Sequence, residues 1–275
     1  MTEPSSASAL SAAVRAIGGE SDLAVVMPAL ANGRLARVIA LAPNAHPLER
    51  AVAALCGGLP SLLDAPTRAD PALHAAMARL IGTPAERNAI RAWAAIAPAG
   101  WGRPHAAALI DAVRQGVCHP GAAAALIGPD ARSASLLRSP DDAAFAIRRW
   151  GHANAAAPTA WAKALSPAER DRLIATMRRD PFQVASCLPW LPLDEAKQTR
   201  LDARNLNDAL DAFSVASPTA RAQHAAILQR LVDRAGPDHL GALTRLACAT
   251  GAKTVWRRVQ TLIRESPDDA QRVVA

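Results

Sequence analysis

The chain has 275 residues and a formal net charge of +7, and it is dominated by 67 alanines and 28 arginines. Half of its residues are apolar, which argues against intrinsic disorder because disordered chains lack the apolar side chains that form a core. Tyrosine is absent and phenylalanine occurs three times, which argues against a β-rich fold, since strands favour aromatic residues. Alanine and arginine both rank high in helix propensity. The composition therefore predicts an all-α globular protein, and the excess of arginine over lysine is typical of a GC-rich, bacterial-like coding sequence.

The sequence carries no recognisable targeting or membrane-spanning signal. Residues 1–20 lack a basic start followed by an apolar core, which argues against a secretory signal peptide. The apolar stretch 23–41 is interrupted by a proline and two arginines, whereas a membrane span needs about 20 mostly apolar residues. We therefore expect a cytoplasmic location and no membrane partner. Because the interior contains no Gly/Ser-rich or Pro-rich linker, we also expect a single domain over residues 1–275, with residues 1–6 disordered.

The four cysteines are spread almost evenly along the chain. No pair has the short spacing of a zinc-binding or redox motif. We expect reduced, mostly buried thiols, and we predict neither a metal nor a cofactor. The four residues are Cys56, Cys118, Cys187 and Cys248.

Prolines indicate where helices begin. Five prolines follow a serine or threonine and precede a helix-like run, and a hydroxyl before a first-turn proline is a favoured N-cap arrangement. Four of these runs carry an acid at the third helical position, which suits the positive end of the helix dipole. The five starts are Thr83-Pro84, Ser139-Pro140, Ser166-Pro167, Ser217-Pro218 and Ser266-Pro267, and two similar starts, Asp70-Pro71 and Asp180-Pro181, have an aspartate cap.

Glycines indicate where helices end, because a left-handed residue often closes a helix and glycine adopts that conformation without steric cost. The predicted ends lie at Gly18-Gly19, Gly57-Gly58, Gly82, Gly116, Gly151, Gly236 and Gly251.

Between these boundaries the apolar residues follow the i, i+3, i+4, i+7 spacing of amphipathic helices. We find no alternating run of strand length, so we predict a dozen or more short helices. The clearest core faces are Ala85, Ala89, Ile90, Trp93 and Ile96; Ala220, His224, Ile227, Leu228, Leu231 and Ala235; and Val255, Trp256, Val259, Leu262 and Ile263.

Short alanine-rich helices favour an irregular α-solenoid, a stack of helical hairpins that bury their faces on one another. Residues 70–82 resemble the second helix of HEAT-type repeats, with an Asp-Pro start, an alanine-rich face and a final Leu-x-Gly. Residues 238–251 resemble it less closely, and His74 stands where that family usually has arginine. The resemblance implies a HEAT-like repeat protein over about two units of the chain. A compact irregular all-α domain is the alternative.

No catalytic motif is present. The adjacent Cys118 and His119 are interpreted as a structural thiol beside a turn histidine, because His119 precedes a proline and neighbouring side chains diverge. His224 lies on an apolar face and is predicted to be a packed, hydrogen-bonded core residue. The aspartate pairs at 141–142 and 268–269 follow Ser-Pro starts, where the helix dipole accounts for them. We therefore predict no catalytic residue.

Tryptophan and arginine form the first candidate binding site. Trp101 and Trp190 lie outside the regular helical patterns, and Trp150 follows an arginine pair at a predicted helix end. These two residue types are enriched in the hot spots of protein interfaces, although packing between repeats is the alternative. The candidate partner-binding residues are Trp101, Trp150, Trp190, Arg148 and Arg149.

The second candidate site is a set of cations in the second half of the chain. Arginine makes bidentate contacts with phosphate, and a line of cations on a helical surface can follow a nucleic-acid backbone. Ordinary solvated helix faces are the alternative. The candidate residues are Arg178, Arg179, Lys253, Arg257, Arg258 and Arg264.

The sequence thus leads to three functional hypotheses. The first is a non-catalytic helical-repeat adaptor that binds another protein. The second is a nucleic-acid-binding helical protein that uses the C-terminal arginines. The HEAT resemblance allows a third, a DNA-repair enzyme with a carboxylate beside aromatic residues in a basic groove, but the sequence identifies no such carboxylate.

Overall fold

The computed structural model describes residues 33–265 except 44–45, 84–85, 193–195, 197–198 and 200. In this part of the chain every regular element is a helix, so the all-α prediction is confirmed. None of these helices is long and apolar enough to cross a membrane. The predicted disorder at residues 1–6 lies outside the described residues.

The chain divides into two units, Met1–Gly128 and Pro129–Ala275, each with its own buried core. The single domain, the solenoid arrangement and the HEAT resemblance stay predictions.

Unit 1 is built around two central helices, α2 and α5. Helix α2 packs against α1, α4 and α5, and α5 packs in turn against α7. A short 3₁₀ helix, Pro60–Leu62, follows α2. The α-helices of unit 1 are α1 (Gly33–Leu41), α2 (Pro47–Cys56), α3 (Ala65–Ala69), α4 (Pro71–Leu80), α5 (Glu86–Ile96), α6 (Ala106–Arg114) and α7 (Pro120–Ile127).

Unit 2 has two helices that contact several others, α9 and α13. Helix α9 packs against α10, α11 and α12, whereas α13 packs against α12, α15 and α16. Two 3₁₀ helices, Leu188–Trp190 and Pro237–His239, join these groups. The α-helices of unit 2 are α8 (Ala131–Ala134), α9 (Pro140–Ala153), α10 (Ala157–Ala164), α11 (Pro167–Met177), α12 (Pro181–Ala185), α13 (Leu206–Val215), α14 (Pro218–Gln223), α15 (Ala225–Arg234), α16 (Leu240–Thr250) and α17 (Lys253–Glu265).

The proline-marked helix starts are confirmed wherever the structure describes them. In α11 the Ser166 hydroxyl accepts a hydrogen bond from the Glu169 N–H, and the Glu169 carboxylate accepts one from the Ser166 N–H, which completes a capping box. Ser139 caps α9 and Ser217 caps α14. The starts capped by Asp70 and Asp180 are confirmed for α4 and α12. The predicted starts at Pro84 and at residues 266–267 lie outside the described residues.

The predicted helix ends are confirmed in part. Gly82, Gly116 and Gly251 have φ values of 83°, 75° and 63° and follow the ends of α4, α6 and α16. The prediction for Gly151 is wrong, because α9 continues through this residue to Ala153. Glycine is present there for packing: a Cβ at Gly151 would overlap the indole of Trp190.

The predicted core faces are mostly correct. Ala89, Ile90 and Trp93 of α5 are buried. The run from Pro218 is two helices instead of one, with a turn at the buried His224. Its ring nitrogens lie 3.1 Å from the Ala220 carbonyl oxygen and 3.0 Å from that of Leu191, which confirms a hydrogen-bonded core histidine.

The C-terminal core face is narrower than predicted. Val255, Val259 and Leu262 of α17 are buried, but Trp256 and Ile263 are 37% and 43% exposed. Both residues lie at the margin of the apolar stripe, where helix packing covers them only partly.

Candidate functional site

Two of the three tryptophans proposed as surface anchors are buried. Trp150 is 3% exposed and Trp190 is 1% exposed, so both pack within the fold, which was the alternative interpretation of these residues. Trp150 lies on the core side of α9, and Trp190 packs against the bare backbone of that helix at Gly151. Trp101, in unit 1, is half-buried and contacts the rings of Trp93 and His105 at centroid distances of 5.7 and 5.1 Å.

The arginine pair beside Trp150 is partly buried within unit 2. Nη1 of Arg148 donates a hydrogen bond of 2.8 Å to the Ser186 hydroxyl, which ties α9 to the segment after α12. Arg149 is half-buried, and this burial lowers the pKa of its guanidinium. Both arginine side chains are therefore partly buried within unit 2, and they form no exposed basic patch with the tryptophans.

The six cations proposed for nucleic-acid binding differ in their surroundings. Arg258 donates hydrogen bonds of 3.1 and 2.6 Å from Nε and Nη2 to the Ala235 carbonyl oxygen, so it has a structural role in holding α17 to the end of α15. The other five, Arg178, Arg179, Lys253, Arg257 and Arg264, are exposed.

The sulfur-containing residues give no sign of nucleophilic chemistry. Cys118 is buried, and its thiol donates to the backbone carbonyl of His119 at 3.7 Å. Burial raises the pKa of the Cys56 and Cys187 thiols to about 12, which disfavours the reactive thiolate. Within the described residues, no group of three or more histidine, cysteine or acidic side chains is arranged to hold a metal ion.

Unit 2 contains an apolar cavity of about 510 Å³, hereafter the unit-2 cavity. It lies between α9, α10, α11 and α12, and the 3₁₀ helix that contains Trp190 also contributes to its lining. Its lining residues are mainly aliphatic and aromatic: Ile147, Pro158, Trp161, Ala162, Arg170, Leu173, Ile174, Met177, Arg178, Pro181, Val184, Trp190, Leu191, Pro192 and Thr199.

Helix α11 forms one wall of the cavity. Its lining residues Arg170, Leu173, Ile174 and Met177 follow the i, i+3, i+4, i+7 spacing that places side chains on a single helix face. This is the face that an amphipathic helix normally buries against a neighbour. Leu173 and Ile174 are instead only half-buried, because they face the cavity.

The opposite wall is fixed by aromatic packing. Trp161 on α10 donates a hydrogen bond of 2.9 Å from Nε1 to the Asp130 carbonyl oxygen, and its ring packs edge-on against Trp150 at a centroid distance of 4.8 Å. Trp190 lies between Gly151 and the ring of His152. Both indoles of this wall are therefore positioned by contacts with other parts of unit 2.

Among the described lining residues of the cavity, the charged side chains are two arginines. Arg170 lies near the start of α11 and Arg178 directly after its end, and no acidic side chain of the described residues lines the cavity. Arg178 already takes part in another interaction of the chain. The described part of the chain offers the Arg170 guanidinium neither a hydrogen-bond acceptor nor an ion-pair partner.

Sequence reasoning missed most of this site. The same-face spacing of Arg170, Leu173, Ile174 and Met177 can be read from the sequence, but it is equally typical of a fully packed helix. Trp161 gave no separate signal. That the stripe faces a cavity depends on where α10 and the 3₁₀ helix lie, which is a tertiary property.

Comparison with models of known protein families, with curated proteins and with solved structures found no significant match to this chain.

Proposed function

We propose that this chain is a non-catalytic helical adaptor that binds a protein partner, and that apolar side chains of the partner enter the unit-2 cavity. The observation that carries the proposal is the pair Leu173 and Ile174 on α11, which are only half-buried and line a cavity of about 510 Å³. The proposal places the adaptor in the cytoplasm, in keeping with four cysteines that are all free thiols.

The size and lining of the cavity support binding. Ligand pockets have volumes of roughly 300–1,000 Å³ and combine apolar walls with a few polar groups. Grooves between helices commonly receive the apolar side chains of a partner segment. The walls here also contain two arginines, a residue type enriched in the hot spots of protein interfaces.

The lining also favours binding over catalysis. Among the described residues that line the cavity, none is a histidine, cysteine or acid, and these residue types perform most general acid–base and nucleophilic chemistry. The DNA-repair hypothesis needs a carboxylate beside the aromatic residues, and the described residues of this lining do not supply one. Binding is therefore the function that the cavity supports best.

The test is to fill the cavity. Ala162 lines it and is buried, whereas Ala160 on the same helix is exposed. Peptides selected from a display library on the wild-type protein are titrated against Ala162→Leu, Ala162→Trp and the control Ala160→Trp. We expect affinity to fall with side-chain size at position 162, by at least about tenfold for tryptophan, because the added atoms occupy the space of the partner's side chains.

Circular dichroism would show that each variant keeps its helical fold. Selected peptides that bind Ala162→Trp as tightly as the wild type would contradict the proposal, as would a library that yields no specific binder.

A second candidate function, nucleic-acid binding, is supported by α17. Lys253, Arg257 and Arg264 are exposed and spaced by four and seven residues, so they share one face of the helix. The partly exposed Trp256 adjoins Arg257 and offers a surface on which a base can stack. Proteins that bind single strands combine cations and aromatic side chains in this way.

This candidate is tested with a fluorescent single-stranded oligonucleotide. Three phosphate contacts predict a slope of roughly −2 for log K against log salt concentration. The triple variant Lys253→Gln, Arg257→Gln, Arg264→Gln should lose this binding. The matched control removes the same charge from exposed arginines of unit 1: Arg50→Gln, Arg79→Gln, Arg91→Gln. Equal binding by the two triple variants would exclude α17 as the interface.

A further inference from the structure

We infer that the partner segment carries an aspartate or glutamate that pairs with Arg170 beside the apolar side chains that fill the unit-2 cavity. This inference rests on the proposed function and specifies the chemistry of the occupant: an apolar peptide segment with an adjacent carboxylate. Three features support it: the position of Arg170, the lack of a hydrogen-bond or ion-pair partner for its guanidinium within the described chain, and the loss of water when a bound segment covers it.

Arg170 belongs to the binding face of α11. It precedes Leu173 by three residues, Ile174 by four and Met177 by seven, and all four side chains line the same cavity. A segment whose apolar groups contact Leu173 and Ile174 therefore passes within one helical turn of the Arg170 guanidinium. The charge is part of the site and not a remote surface group.

The nearest acids in sequence are engaged elsewhere or lie on another face. The Glu169 carboxylate accepts hydrogen bonds from the Ser166 N–H and hydroxyl at 3.1 and 2.6 Å. Asp171 is exposed and follows Arg170 directly, and consecutive residues of a helix do not share a face. Asp130 binds the guanidinium of Arg132. Within the described chain, the charge of Arg170 is left for an external partner to neutralise.

An occupant changes the surroundings of this charge. Arg170 is already half-buried, and a segment in the cavity would remove more of its water. A guanidinium that loses water without gaining a partner costs free energy, whereas a carboxylate at that point restores the interaction. A neutral segment is therefore disfavoured, and a basic segment is rejected by like-charge repulsion.

Arg178 also lines the cavity and follows Arg170 by eight residues, which corresponds to roughly 12 Å along a helix axis. It already interacts within the chain, so Arg170 is the cation to which we assign the partner's carboxylate.

The test combines charge variants with the peptides selected on the wild-type protein. Arg170→Gln should weaken an acidic selected peptide by about tenfold or more, the lower range for close interfacial charge pairs. When the acid of the peptide is changed to the amide, its affinity for the wild type should fall by a similar factor. The same change should reduce its affinity for Arg170→Gln little further. Arg179→Gln is the matched control, because Arg179 is exposed on the same segment and does not line the cavity.

A new selection on Arg170→Glu should enrich lysine and arginine at the position where the wild type selects an acid. Equal binding of the acidic peptide and its amide to the wild type would overturn the inference. If Ala162→Trp abolishes binding while Arg170→Gln leaves it unchanged, the inference fails and the adaptor proposal stands. If the peptides bind Ala162→Trp as tightly as the wild type, the adaptor proposal itself fails, and the inference that rests on it fails with it. Binding of dodecanoate in place of any peptide would identify a small amphipathic ligand and contradict both.

Discussion

Gly151 occupies the middle of α9, where glycine is ordinarily unfavourable by roughly 1 kcal/mol relative to alanine. Its value lies in the absence of a Cβ, because Cδ1, Cγ and Nε1 of Trp190 occupy the space that a Cβ would need. The backbone of α9 thus forms the flat surface against which the indole packs. One residue without a side chain therefore positions one wall of the unit-2 cavity.

We predict that Gly151→Ala destabilises the protein, contrary to the usual effect of this change in a helix. Forced overpacking of a core costs roughly 1–3 kcal/mol and outweighs the gain in helix propensity. Urea unfolding measures the effect. In a Trp190→Leu background the smaller side chain leaves room, so the same alanine should cost less there. A stabilised Gly151→Ala protein would show that the contact with Trp190 does not constrain this position.

His152 connects stability to pH. Partial burial lowers the pKa of its imidazole, and the positive charges of Arg149 and Arg148 lower it further. The unfolded chain therefore binds a proton at a higher pH than the folded chain does, and stability falls as the pH drops through about 6.5, the ordinary histidine value. His152 is also partly exposed to solvent, which keeps the effect small.

We predict that His152→Gln reduces the loss of stability between pH 7.5 and pH 5. Thermal unfolding midpoints at both pH values provide the measurement. His105, in unit 1, serves as the control through His105→Gln. A variant at position 152 whose pH dependence matches that of the wild type would contradict the assignment.

At the scale of the element, the helix starts depend on local hydrogen bonds. Ser166→Ala removes the acceptor for the Glu169 N–H and the donor to its carboxylate. We expect a loss of about 1 kcal/mol in the free energy of unfolding, as for other N-cap replacements. Ser166→Asp should retain most of this stability, because aspartate is also a favoured N-cap residue. Urea titration distinguishes the two, and equal stability of the alanine and aspartate variants would argue against the cap.

The helix starts could be predicted because their causes lie within four residues of sequence. Ser139, Ser166 and Ser217 each bond to an N–H three positions later. Gly151 was misinterpreted because its cause, Trp190, is 39 positions away along the chain. The turn at His224 was also missed: its ring contacts the Leu191 carbonyl, a partner that no local pattern reveals.

Little of the candidate site could be predicted from the sequence. Of the five residues proposed for partner binding, Trp190 lines the unit-2 cavity, whereas Trp101, Trp150, Arg148 and Arg149 do not. The face of α11 shows an ordinary amphipathic spacing. Whether such a face meets a packed helix or an open cavity depends on how its neighbours are held, as Trp161 is held by the Asp130 carbonyl.

At the scale of the whole molecule, the reactivity of the four thiols can reveal the local opening of each unit, because both units contain buried cysteines. Cys56 and Cys118 are buried in unit 1, Cys187 is buried in unit 2, and Cys248 is exposed on α16. Burial raises the pKa of the Cys56 and Cys187 thiols to about 12. In the native protein these two groups are therefore both inaccessible and protonated, whereas the reactive form is the thiolate.

We predict one fast thiol per chain at pH 8 with a chromogenic disulfide reagent, and four after denaturation in guanidinium chloride. Cys248→Ser should remove the fast phase and leave the slow reactions unchanged. Because Cys56 and Cys187 react only when their unit opens, their slow rates measure the opening of unit 1 and unit 2 separately. Gly151→Ala should therefore accelerate Cys187 more than Cys56. Equal acceleration of both would show that the two units open together, and rapid reaction of Cys187 in the native wild type would contradict its burial.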